Sequence, residues 1–141
     1  MNGQLEVTAK PLSKPARWVE VGFSLFLRLL AIVFFALSLH TWMTAIGFWE
    51  GSNFRFDTMS TPWKIYTAML LVLNPVTTVG LWTTLSWGRV VWFLAIGTQI
   101  IGLLRFDLGS MLGNQLMLFH LGTLAIYVIF QLALFFINKE E

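Results

Sequence analysis

Four stretches of apolar residues, each close to the length of a bilayer crossing, constrain this chain more than any other feature. A helix that crosses the hydrocarbon core needs about 20 mostly apolar residues. The stretches run over residues 18–48, 63–83, 87–104 and 116–137. Together they take up most of the 141 residues. With 57% hydrophobic and only 11% charged residues, the chain cannot hide its apolar surface in a soluble core. The sequence predicts an all-α integral membrane protein, an antiparallel four-helix bundle. It forms a single domain over residues 1–141, with 1–17 as an N-terminal segment outside the spans. A net charge of +2 is no nucleic-acid-binding patch. The absence of cysteine excludes disulfides, thiolate metal sites and thiol catalysis.

Local signals set the expected boundaries. Pro15 and Pro62 stand where the first turn of a helix accepts proline. Asn114 is the expected N-cap of the fourth helix. Ser86, Trp87 and Gly88 are expected to turn the chain between the second and third helices. The first apolar run is too long, and too far from residue 1, to read as a cleavable signal.

An even number of spans puts both termini on one side. That side carries Lys10, Lys14, Arg17, Arg89 and Lys139, against Arg55, Lys64 and Arg105 on the other. The positive-inside rule then puts both termini in the cytoplasm. Trp18, Trp82, Trp87 and Trp92 are expected at the cytoplasmic interface, and Trp42, Trp49, Trp63 and Tyr66 at the outer one.

Polar groups inside a span each need a reason. Arg28 lies about 10 Å past Val21 at 1.5 Å per residue. Its long side chain either snorkels to the interface or serves as an interior cation for an anionic ligand. Asn74, Gln99 and Gln131 read as interhelical hydrogen-bonding groups, or with Arg28 as the lining of a path. Pro75 removes a helical hydrogen bond, and Asn74 can help satisfy the freed carbonyl. Gly97, Gly102, Gly122 and Ala125 allow close helix approach. Gly109 and Gly113 fit a small-xxx-small spacing but read as loop residues.

At the outer end gather His40, Glu50, Asp57, Arg105, Asp107 and His120. Two histidines on different helices could bind haem, or a quinone, between them. Arg105 and Asp107 read as a local charge pair at a helix end. No metal-ligand spacing and no catalytic motif occurs, so no catalytic residue and no metal ligand is expected.

The run Leu25, Phe26, Leu27, Arg28, Leu29, Leu30, continuing to His40, resembles the first helix of DoxX-like proteins. These are small four-helix bacterial inner-membrane proteins, some of them linked to quinol oxidation. First helices of that family commonly carry a His-Gly pair and a following lysine. Here Thr41 and Trp42 follow His40, so the resemblance implies architecture alone, in a bacterial inner membrane.

Three functions follow, in order of expectation. The first is a non-enzymatic accessory or scaffold subunit, bound to the lipid bilayer and to a membrane-protein partner or a second copy. The second is a redox subunit holding haem or quinone near the outer face. The third is an oligomeric transporter or channel for lipids or small molecules. The first needs no cofactor.

Overall fold

A computed structural model describes residues 14–48, 55–105 and 111–139. Four helices follow in order: α1 Lys14–Ala45, α2 Thr61–Trp82, α3 Ser86–Arg105 and α4 Met111–Lys139. No strand occurs among the described residues. All four helices are long and apolar enough to cross a membrane. Pro62 sits in the first turn of α2 behind Ser60, as expected. The fourth helix starts three residues before Asn114, so Asn114 is an exposed residue of its first turn and not its cap.

Three of the helices build the core. The α1–α2 and α2–α3 interfaces are extensive, whereas α4 stands further off, with its backbone closer to α1 and its side chains reaching α3 through Tyr127 and His120. The core joins Leu27, Leu30, Ala31 and Phe34 of α1 to Leu81 of α2 and Trp92, Ala95 and Ile96 of α3. On α2 the buried residues are Thr67, Leu70, Asn74, Thr77, Gly80 and Leu81. On α3 they are Gly88, Trp92, Ala95, Ile96, Gln99 and Gly102. The spacing is helical, and small or polar residues mark the inner face. Large apolar residues such as Val72, Val79, Val90 and Leu94 stay exposed. This is the pattern expected where the surroundings are lipid, because association then depends on close packing and interhelical hydrogen bonds.

Two corrections concern the α2–α3 hairpin. The turn occupies Thr83–Leu85, with Thr84 in the left-handed region at φ 56°, and not Ser86–Gly88. Ser86, Trp87 and Gly88 already belong to α3. Gly88 is needed for packing: a Cβ built on Gly80 would stand 2.5 Å from the Gly88 Cα, and one on Gly88 would overlap the Gly80 carbonyl. The two helices therefore cross backbone to backbone. Trp92 is the second correction. It is fully buried, with its ring 5.4 Å from Tyr127, and takes no part in an interface belt. Trp18, Trp82 and Trp87 do remain exposed.

The glycines expected to bring helices together divide into two groups. Gly102 makes room for the Tyr66 ring. Gly97 and Gly122 face open space, with no atom within 4 Å of an added Cβ, and Ala125 is exposed. Gly113 is a buried residue of α4 and not of a loop, while Gly109 lies outside the described residues.

Pro75 lies inside α2, and its missing N–H leaves the Leu71 carbonyl without a helical donor. The Trp42 indole supplies one, donating to the Leu71 oxygen at 3.2 Å from the neighbouring helix. Asn74, expected to help here, is engaged elsewhere. Trp42→Phe should therefore destabilise the protein by about 1 kcal/mol, the net worth of one such bond. Thermal unfolding in mild detergent measures it. A loss no larger than that of Trp82→Phe, an exposed tryptophan at the C-terminal end of α2, would show that the bond contributes nothing.

Candidate functional site

Four polar residues, one from each helix, form a transverse chain of hydrogen bonds. Thr41 of α1 donates its hydroxyl to the Leu37 carbonyl at 2.8 Å. That leaves its oxygen to accept from Asn74 Nδ2 of α2 at 3.4 Å. Asn74 Oδ1 accepts from Gln99 Nε2 of α3 at 3.0 Å. Gln99 Oε1 meets His120 Nε2 of α4 at 2.5 Å. All four helices are tied at one depth.

The chain has a direction. Because the Thr41 proton goes to Leu37, each following amide must present its NH2 toward Thr41 and its oxygen toward His120. Gln99 Oε1 therefore faces the imidazole, and a neutral His120 carries its proton on Nε2. Its Nδ1 is then a bare lone pair, and it is buried without a partner. The ring is enclosed, with Phe34 at 6.4 Å and Phe119 at 5.5 Å between ring centroids.

On one side of this chain lies a cavity of about 580 Å³. Its polar lining is His40, Thr41, Tyr66, Asn74, Gln99 and Gln115, and Val33, Ala36, Leu37, Leu70 and Leu116 form its apolar walls. The size and the mixture, apolar walls around a few convergent polar groups, are those of a small-molecule site. No carboxylate, lysine or arginine lines it. Its polar groups are all hydrogen-bonding side chains.

Asn74 and Gln99 thus meet as an interhelical pair, and His40 joins them at the cavity wall. His120 belongs to the same hydrogen-bond chain, but it lies in the core and not in the cavity lining. The cavity that His40 lines does not include His120 in its wall. Arg28 is exposed, on the same stripe of α1 as Val21, Leu25 and Ile32, and away from the core. Gln131 donates to the Tyr127 hydroxyl of its own helix at 2.9 Å. Arg28 and Gln131 therefore do not continue the Asn74–Gln99 chain into a path along the bundle. Arg105 is exposed and borders a smaller groove beside Tyr66 and Gly102. Asp57 pairs with Arg55 at 3.0 Å on the surface. Glu50 and Asp107 lie outside the described residues. Among the described residues no group of three or more potential metal ligands occurs.

Sequence reasoning missed Thr41, Tyr66 and Gln115 as members of this site. Thr41 had a signal: it adjoins His40 and lies on the interior stripe that continues Phe34 and Ser38.

Residues 21–138 match a family of unknown function, DUF6163. The chain belongs to that family. No curated protein and no solved structure matches it. The match runs from α1 to α4 and takes in every residue of the hydrogen-bond chain and of the cavity. The family is thus defined over the whole bundle.

Proposed function

We propose that this DUF6163 protein binds a neutral, lipid-soluble molecule with a hydrogen-bonding head, of the quinone class, inside its bundle. The observation that carries this reading is the uncharged polar lining of the 580 Å³ cavity. Quinone carbonyls accept hydrogen bonds. The second N–H of the Asn74 and Gln99 amides and the His40 imidazole are donors of the right kind. The apolar walls at Val33, Leu37, Leu70 and Leu116 suit an isoprenoid tail. A charged head would enter this cavity without a counter-charge, at a large desolvation cost. Nothing in this role requires catalysis: the chain binds and does not convert.

The membrane is proposed to be a bacterial inner membrane, with both termini cytoplasmic. The larger number of basic residues at the termini end supports that orientation. The cavity then opens in the outer half of the bilayer.

A second reading, that the chain is an accessory subunit, rests on α4. This helix stands further from its neighbours than α2 does from α1 and α3, and its Gly122 and Ala125 are exposed. A partner helix could approach closely there. The two readings are compatible, since a subunit can carry a ligand.

Titration of the purified chain with a short-tail ubiquinone, followed by tryptophan quenching, tests the first reading. His40→Ala should weaken binding about tenfold, the loss of one good hydrogen bond. His40 is suited to the test because its imidazole is exposed and makes no hydrogen bond with the described residues. Arg28→Ala should leave the affinity unchanged. Equal affinity in wild type and His40→Ala, or no saturable quenching, would remove the quinone reading. Native mass spectrometry of the same preparation would show a co-purified subunit directly.

A further inference from the structure

The helices differ in length by pairs. α1 has 32 residues and α4 has 29, whereas α2 has 22 and α3 has 20. The surplus of about ten residues is about 15 Å of helix. It projects at the termini end. There Phe23 and Phe26 of α1 pack on Phe130 of α4, at 5.6 Å and 5.7 Å. The long pair stands above the α2–α3 turn, and a notch is left where the short pair stops.

A cleft of about 290 Å³ occupies this notch. Glu20 and Ser24 of α1 line one side, Thr84 of the turn and Arg89 of α3 the other. Phe23, Leu27 and Leu134 close its base. Glu20 and Arg89 face the same space, yet among the described residues neither takes part in an ion pair or a side-chain hydrogen bond. Arg89 is half-buried. The exposed Trp82 and Trp87 lie beside the same turn, which sets this level at a membrane–water interface.

We propose that this cleft binds the headgroup of a zwitterionic phospholipid with a primary amine, of the phosphatidylethanolamine class. Arg89 holds the phosphate, because its fork of donors matches phosphate oxygens. The Ser24 and Thr84 hydroxyls are placed to donate to the same group. Glu20 accepts from the ammonium. The apolar base receives the first segments of the acyl chains. An anionic lipid would satisfy Arg89 and leave Glu20 facing a like charge. A choline lipid would offer Glu20 a cation without N–H donors. Basic pockets between spans generally recognise headgroups, and the added carboxylate makes this one selective for the amine. This site is separate from the cavity at His40 and does not depend on the quinone reading.

The test uses the full chain, purified in mild detergent and offered equal amounts of phosphatidylethanolamine, phosphatidylcholine and phosphatidylglycerol. Native mass spectrometry reads the lipid retained. Wild type should retain the ethanolamine lipid about fivefold over each of the others, the discrimination expected of one interfacial charge contact. Glu20→Gln should abolish that preference while lipid is still retained. Arg89→Gln should reduce retention of all three, and Arg89→Lys should restore part of it. Equal retention of the three lipids by wild type would overturn the proposal, as would an unchanged preference in Glu20→Gln. Displacement by an equal concentration of soluble glycerophosphoethanolamine would assign the cleft to a soluble ligand and overturn the lipid. Glu20 is exposed, so Glu20→Gln keeps the test open even if the Arg89 variants fail to fold.

Discussion

Gly88→Leu should unfold the α2–α3 hairpin, and Gly88→Ala should already destabilise the protein by about 3 kcal/mol, the upper end of what overpacking costs. Most overpacked sites relax because a flexible side chain moves aside. Here the obstacle is the backbone of Gly80, which belongs to a helix fixed by its own hydrogen bonds. The clash can be relieved only by separating the two helices. Separation would open the layer in which Leu81 and Trp92 meet α1, so the cost would spread through the core. Gly80→Ala should be similarly severe, since its Cβ would meet the Gly88 Cα and the Trp87 ring. Gly97→Ala and Gly122→Ala are the matched controls. Both positions are helical and open, and alanine is the better helix former by about 1 kcal/mol. They should be neutral or slightly stabilising. Thermal unfolding in detergent, followed through the buried Trp92, reads all four. A Gly88→Ala protein as stable as wild type would mean that the helices do not cross at this pair.

The sequence made the spans legible because lipid demands long apolar runs, and such runs are hard to disguise. The expected ends lie within a few residues of the helix ends, apart from the early starts of α1 and α4. Which face of each helix points inward was harder to read. Apolar residues cover both faces, so hydrophobic periodicity is weak. The usable signal is inverted: Thr67, Asn74, Thr77 and Gly80 on α2, and Gly88, Ala95, Gln99 and Gly102 on α3, recur at helical spacing. Asn74 and Gln99 were readable as interhelical groups for that reason. Their partners were not, because pairing depends on the register between helices. Trp92 shows the same limit. Its distance from the turn suggested the interface, but the near contact of Gly80 and Gly88 brings the helices so close that the space beyond is core. The Leu71 carbonyl freed by Pro75 needed a donor, and residue type alone could not choose between the Asn74 amide and the Trp42 indole.

Gln99→Leu should cost about 2 kcal/mol, more than its single position suggests, because it breaks two bonds and leaves two groups stranded. Asn74 Oδ1 loses its donor, and the His120 Nε2 proton loses its acceptor. Both residues are fully buried in the protein, where water does not readily replace the missing partner. The same logic sets the behaviour of combined variants. In Asn74→Leu with Gln99→Leu one stranded acceptor disappears, so the double change should cost less than the sum of the two by about 1 kcal/mol. Adding His120→Phe removes the last stranded group and should bring stability back toward wild type, since replacing all partners by apolar groups is nearly neutral. Position should then suffer where stability does not. The Gln99–His120 bond is the directional link that sets α4 against α3, beside the non-directional packing of Trp92 and Phe93 on Tyr127, so the triple variant should let α4 turn or slide. A crosslink between cysteines introduced at Phe93 and Tyr127, whose rings meet at 5.4 Å, would report this as lower yield at undiminished melting temperature. Strictly additive costs for Asn74 and Gln99 would show that the two amides do not pair. Undiminished crosslinking in the triple variant would assign the position of α4 to its apolar contacts with α1 and α3.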